Sequence, residues 1–224
     1  LLPLLLILYY ITRNGIAVIN WEFLSQMPRP MGEAGGGIYN AIVGSLVLIV
    51  LSSALSIPLG IGAGIYLSER QEGRLADLVR LSVVVLQGTP SIVIGIIAYV
   101  WVVAPFQSFS AISGGVALSI MMLPVIIKTT EETLKLIPYH LKEASLALGV
   151  PYHRTILRVI LPAGFTNILT GILLSVSRIT GETAPLLFTA FGNQFLNYNI
   201  FKPMDSLPYR IFFYAMSPYP EWHT

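Results

Sequence analysis

Residues 81–127 read LSVVVLQGTPSIVIGIIAYVWVVAPFQSFSAISGGVALSIMMLPVII, 47 consecutive positions without a charged side chain. About 20 apolar residues cross the hydrocarbon core of a bilayer, so this stretch is too long for one span and has room for two. The break between them is predicted at 104–115, where Pro105, Gln107, Ser108, Ser110, Ser113 and two glycines interrupt the apolar run. The flanking spans then cover 88–103 and 116–127, the second running on into a polar helical tail.

Two further uncharged stretches lie on either side, 28 residues at 40–67 and 19 at 159–177. Residues 1–11 are apolar but too short to cross alone, and no basic region precedes them. They read as the outer end of a truncated first span and not as a signal peptide. With 54% hydrophobic and 11% charged residues and a mean hydropathy of +0.74, the chain cannot present the charged surface of a soluble domain. The predicted fold class is an all-α membrane protein, a polytopic bundle of transmembrane helices forming one domain over 1–224.

Orientation follows from Lys and Arg, which collect on the cytoplasmic side. Residues 128–158 hold five and 68–80 hold three, whereas 12–39 and 179–224 hold two each. Alternating the spans puts the two richer segments on one side, predicted to be the cytoplasm. A net charge of +2 is too small and dispersed for a nucleic-acid surface. The absence of cysteine excludes disulfides and thiolate metal sites, and His140, His153 and His223 have no helical ligand spacing and no carboxylate cluster around them.

Within the second span, Ser52, Ser56, Gly60 and Gly64 recur every four residues, a stripe of small side chains that lets another helix approach closely. Pro58 removes a backbone donor from the same helix and predicts a kink. Gln87-Gly88-Thr89-Pro90-Ser91 punctuates the entry to the third span. Its hydroxyls either bond back to the preceding turn or face a polar path. Beyond the fourth span, Lys128/Glu132 and Glu131/Lys135 are i, i+4 pairs suited to a solvated helical extension.

Residues 141–148 fit a short helix with Leu141, Ala144, Ser145 and Leu148 on one side, before Gly149 and Pro151 stop and restart the chain. Here the sequence resembles the permeases of ATP-binding-cassette importers. Their signature is Glu-Ala-Ala, three residues, Gly, nine residues, Ile, one residue, Leu-Pro. This chain has Glu143-Ala144-Ser145, Gly149, Val159 and Leu161-Pro162 at that spacing, with Ser145 for Ala and Val159 for Ile. The resemblance implies the type I importer permease fold, with a cytoplasmic segment at 128–158. Residues 141–150 would be the coupling helix that docks on a separate ATPase, Glu143, Ala144, Ser145, Gly149, Leu161 and Pro162 carrying the contact. No Gly-x-x-x-x-Gly-Lys-Ser/Thr phosphate loop occurs. No cofactor is therefore expected on this chain, ATP and Mg belonging to the partner ATPase.

In the fifth span, helical spacing puts Gly171, Ser175, Arg178 and Glu182 on one stripe that should face protein or water. A lipid-facing Arg178 would cost about 2.5–3.5 kcal/mol on the mildest insertion scale. Its guanidinium can offer paired donors to an oxyanion, and Glu182 can accept the proton of hydrogen phosphate. A structural Arg178–Glu182 ion pair is the competing reading.

Residues 181–190, GETAPLLFTA, look like the signature of the A-type permeases of bacterial phosphate importers, and similarity extends through 56–69 and 90–93. That resemblance implies a multi-pass inner-membrane transport subunit, not an enzyme, with Arg178, Glu182 and Thr183 on the substrate path. Its implied partners are a C-type sister permease, an ATPase dimer, an extracytoplasmic phosphate-binding protein and the bilayer. Such permeases have six spans, so part of the first and the last are expected to be missing here. The alternatives are a permease of the same build for sulfate or molybdate, and a secondary transporter.

Overall fold

A chain so poor in charge has to satisfy its peptide groups internally, and in the computed structural model it does so with helices. The structure describes all residues except 17, 31, 32, 34, 71 and 219–224. Helices α1 (Leu2–Gly15) and α2 (Trp21–Ser25) precede the long α3 (Tyr39–Glu69). Next come α4 (Arg74–Gly88) and α5 (Ser91–Ala98), the latter continuing through a π-helical turn at Tyr99–Val103 into α6 (Ala104–Phe106). The second long helix, α7 (Ala111–Leu136), leads to α8 (Tyr139–Ala147) and α9 (Tyr152–Thr155). A π turn at Ile156–Ile160 joins α9 to α10 (Leu161–Ala163), and after Gly164 come α11 (Phe165–Thr180), α12 (Ala184–Leu187) and α13 (Leu207–Ala215).

Among the described residues α3 and α7 are each long and apolar enough to cross a membrane. Two bent pairs, 74–88 with 91–106 and 152–163 with 165–180, pass the same test, giving up to four spans.

The core is the seam between α3 and α7. The Ser56 hydroxyl donates to Met122 Sδ at 3.3 Å, and a Cβ placed on Gly60 would fall 2.7 Å from Ile126 Cγ2. One placed on Gly64 would fall 2.5 Å from Thr130 Cβ, and Gly114 Cβ would meet Leu48 Cδ2 at 2.9 Å. Each of these pairs is separated by 66 positions, and a constant separation means that the two helices run parallel. Ser52, Ser56, Gly60 and Gly64 are all buried on this seam. Because α3 and α7 are parallel, the segments after their C-terminal ends, 70–80 and 137–158, emerge at the same end of the bundle.

Helix α11 packs against α7 with falling numbers: Gly164 meets Thr133 and Gly171 meets Thr129. It therefore runs antiparallel and brings residues 182–206 to the opposite end. There Ser110 N donates to Thr189 O, Ala111 N to Lys202 O, and Met204 N to Ala190 O.

Three expectations are corrected. The third span is not a straight helix from Gly88 but two helices meeting at 114° around Thr89–Pro90. Proline disfavours the helical conformation in the residue before it, and Thr89 accordingly has ψ 129° while its hydroxyl bonds back to Val85 O. The predicted break at 104–115 shrinks to 107–110, because Ser110 and Ser113 form a capping box that starts α7 at Ala111. Gly114 and Gly115, read from sequence as turn residues, are packing glycines inside the helix. The fifth span is likewise bent, by 71° at Gly164, and its helix stops at Thr180. Pro58, by contrast, is accommodated within the single helix α3.

If the small-residue seam holds the bundle, Gly60→Leu and Gly64→Leu should lower the thermal midpoint in detergent, overpacking costing about 1–3 kcal/mol. Gly62→Ala, whose added Cβ meets nothing within 4 Å, should leave it unchanged or raise it. Equal midpoints for Gly62→Ala and Gly64→Leu would refute the close approach.

Candidate functional site

The loop end of the bundle is built on the turn between α8 and α9. Pro138 opens α8, which spans Tyr139–Ala147 and not 141–150 as the sequence indicates. Gly149 ends the turn at φ +79°, a conformation that L side chains rarely adopt, with its N–H donating to Leu146 O. Val150 N donates to Ser145 O, and Pro151 restarts the chain as α9.

The signature residues separate into two groups here. Glu143, Ala144 and Gly149 are exposed, as are Leu141 and Leu148, the last at 84%. Ser145 is buried, its hydroxyl sharing a 2.9 Å hydrogen bond with Thr155. That corrects its predicted place on the outward face: a hydroxyl at this position can reach the equally buried Thr155, which the apolar Ala of the signature cannot. Leu161 packs inward on the cluster of Leu134, Ile156, Ile160 and Ile168, while Pro162 is exposed beside it. The π turn that precedes Pro162 shifts the helical register just where a proline lacks its N–H.

Two charged clusters fasten this end to the long helices, and sequence reasoning missed both as linked groups. Arg80 of α4 donates from Nε to Glu131 Oε1 at 3.0 Å and from a terminal nitrogen to the carbonyls of Leu67 and Arg70 at 3.0 and 3.1 Å. Lys135 completes the Glu131 pair at 2.6 Å. The second cluster joins Glu69, at the end of α3, to Lys142 of α8 and the Tyr152 hydroxyl of α9. Burial opposes the Lys142 charge, but the bonds and negative charge of Glu69, aided by Tyr152, hold the ammonium above its usual range. The i, i+4 pattern disclosed Glu131/Lys135. Nothing in the spacing pointed to Glu69, which lies 73 residues from Lys142.

At the other end, the predicted polar stripe of α11 divides. Gly171 and Ser175 are buried against the bundle, whereas Arg178 turns outward with its side chain 42% exposed. Glu182 lies beyond the helix end, 21% exposed, in a narrow crevice that also involves Ser45, Thr180 and Ser206. Arg178 Nε and Glu182 Oε1 are 4.0 Å apart, the outer limit of an ion pair. Arg178 stands in the last turn of α11, and neighbouring Ile179 shares that crevice with Leu118 of α7.

Thr183 is half-buried, and its carbonyl accepts the N–H groups of Leu186 and Leu187 that open α12. The rest of that signature is packing: Pro185, Leu186, Thr189 and Ala190 are buried, and a Cβ on Gly95 would lie 2.7 Å from Pro185 Cα.

Beside it lies a buried polar group with no motif to announce it. Asp205 pairs with Arg210, accepts from Asn40 Nδ2 at 2.9 Å and accepts from Ser206 N at 3.0 Å. Opposite charges five apart in an apolar tail were its one sequence signal. Among the described residues no three His, Asp or Glu side chains converge to hold a metal ion; His223 lies outside them.

The family described as binding-protein-dependent transport system inner membrane component matches residues 56–217. The chain is 44% identical over 222 residues to the phosphate transport system permease protein PstA of Yersinia pestis, covering 99% of this chain and 75% of that protein. It is 41% identical over 219 residues to that of Pasteurella multocida, with 97% and 78% covered. With phosphate transport system permease protein PstA 1 of Mycobacterium tuberculosis H37Rv it shares 35% over 223 residues, 97% and 72% being covered.

The inward half of the α8–α9 turn should answer to stability alone. Ser145→Ala strands the buried Thr155 hydroxyl and should cost about 1–3 kcal/mol, read as faster limited proteolysis between 138 and 152. Glu143→Gln, at the surface, should leave the cleavage rate at the wild-type value. Equal rates in the two variants would contradict the division.

Proposed function

The chain belongs to the family of binding-protein-dependent transport system inner membrane components, and on that premise we propose that it is the permease through which an ATP-driven importer moves inorganic phosphate. It is a multi-pass membrane protein and a transport subunit, not an enzyme. The observation that carries the phosphate reading is 44% identity with a phosphate permease across 99% of this chain.

The geometry supports the reading in two places. An arginine partly exposed within a span cannot rest in lipid without cost, so Arg178 faces a polar path or a partner helix. Its guanidinium stays charged and supplies paired donors to the oxygens of a phosphate. At 4.0 Å from Glu182 it is loosely held and free to exchange that carboxylate for a passing anion. Glu182 accepts the proton of hydrogen phosphate, and Thr183 completes the polar lining next to it.

The turn end carrying α8 is cytoplasmic, where the excess of Lys and Arg in 68–80 and 128–158 places it by the positive-inside rule. The exposed surface of α8, with Glu143, Ala144 and Gly149, docks on an ATPase subunit that binds and hydrolyses ATP with Mg. A second, C-type permease supplies the other wall of the pathway, and an extracytoplasmic binding protein delivers phosphate at the opposite end. The complete complex in proteoliposomes should take up phosphate only with ATP inside or at the ATPase face; uptake of sulfate in its place would overturn the substrate.

Within that assay, uptake should fall in the order Arg178, Arg178→Lys, Arg178→Gln, with no matching loss of complex assembly. Lysine keeps the charge but not the paired donors, and glutamine keeps neither. Near wild-type uptake by Arg178→Gln combined with Glu182→Gln would reduce the pair to a scaffold, since both charges are then gone.

A further inference from the structure

Docking of α8 on an ATPase moves substrate only if displacement of α8 reaches the spans. The chain itself connects α8 to α7 through Ile137–Pro138, but α3, the other half of the central seam, ends 73 residues earlier in the sequence than Lys142. Helix α8 packs on α9 and on the π turn at Ile156–Ile160. Glu69, the last residue of α3, reaches it with a carboxylate that takes the Lys142 ammonium and the Tyr152 hydroxyl together.

The arrangement is more closely constrained than a surface ion pair. The side chains of Lys142 and Glu69 are 15% and 23% exposed, and Lys142 Nζ lies 3.2 Å from Tyr152 Oη. Its charge also sits 4.8 Å from the Tyr152 ring centroid and 5.8 Å from that of Tyr139. One carboxylate at the tip of a 31-residue helix is thus held by donors from two successive elements of the turn. Beside it lies a cavity of about 380 Å³ lined by Ser68, Glu69, Leu134, Lys135, Tyr139 and Lys142 among others. That space separates part of the turn from the ends of α3 and α7, and Arg80 anchors the same end of α3 to α4 and α7.

We propose that Glu69, Lys142 and Tyr152 form the transmission link of this permease, positioning residues that make α3 move with the coupling helix. The inference rests on the importer reading above and goes beyond it: α7 is joined to α8 through the backbone, whereas the Glu69 carboxylate gives α3 a direct tie to the turn. The link lies behind the docking surface, so its loss should leave ATPase binding intact and break the step after it.

The test uses the complete transporter in proteoliposomes with its binding protein, measuring ATP hydrolysis, phosphate uptake and the amount of ATPase copurified. Glu69→Gln and Lys142→Met, both close in shape to the originals, should retain ATPase subunits and hydrolysis. Uptake per ATP should fall at least about five-fold, the lower end of coupling between distinct sites. The exchange Glu69→Lys with Lys142→Glu should regain most of the wild-type ratio. An unchanged ratio in both single variants would overturn the proposal. So would a drop in uptake that merely tracks lost ATPase and is not regained by the exchange, since the cluster would then be a strut. A wild-type complex that takes up phosphate without ATP would instead overturn the importer reading, a result separable from either.

Discussion

Helices inside a bilayer gain little from hiding apolar surface from one another, since lipid tails are as apolar as leucine. What holds them together is contact, and contact demands that backbones come close. The seam between α3 and α7 meets that demand by leaving side chains out: Gly60 and Gly64 lie against Ile126 and Thr130, and Gly114 and Gly115 lie against Leu48 and Leu51. Helix α7 supplies the hollows near the start of the seam and α3 those further along, so each receives side chains from the other. The packed elements around it take their positions from this pair. Helix α4 packs Ala76 and Val83 beside Leu67 and Ile127, α11 sets Gly171 against Thr129, and the 190–206 segment closes over the end where α3 and α7 begin.

The fold class was legible in the sequence because the absence of charge over 28 and 47 residues leaves no other arrangement of the backbone. Helix ends were less legible, for a physical reason that repeats. Glycine and serine serve both as turn residues and as packing residues, and Ser110, Ser113, Gly114 and Gly115 do both jobs within six positions. Only the partner decides between them, and Leu48 and Leu51 lie more than sixty residues away. Bends were marked by proline without being measurable: Pro90 sits at a 114° turn, yet Pro58 lies inside one continuous helix.

The same limit applies to the site. Motif spacing located α8, Arg178 and Glu182 along the chain, but not which way each side chain turns. Periodicity put Arg178 with Gly171 and Ser175, while the bundle buries Ile179 in the next position and leaves Arg178 outward. The Glu69 cluster was invisible and the Asp205 cluster showed only its Asp205/Arg210 pair, because Glu69, Lys142 and Tyr152, and likewise Asn40 and Asp205, are brought together only by the fold. In each of them an acid at or near a helix terminus collects donors from elements remote in sequence, so that charge appears where two independent segments must be fixed together.

The division of the α8 signature into an outward and an inward half has a consequence for how the motif can change over time. Glu143, Ala144 and Leu148 are exposed and, on the docking proposed above, would answer to another polypeptide, whereas Ser145 answers to Thr155 within the same chain. On that docking, an altered residue on the outward half would be compensated by a mutation in a different gene, which would then have to be inherited together with this one. An alteration at Ser145 can be compensated ten residues away, in the same reading frame. The two halves of one short motif would then drift under separate genetic constraints, and exchanging this subunit between transporters would fail at the outward half while the inward half travelled intact.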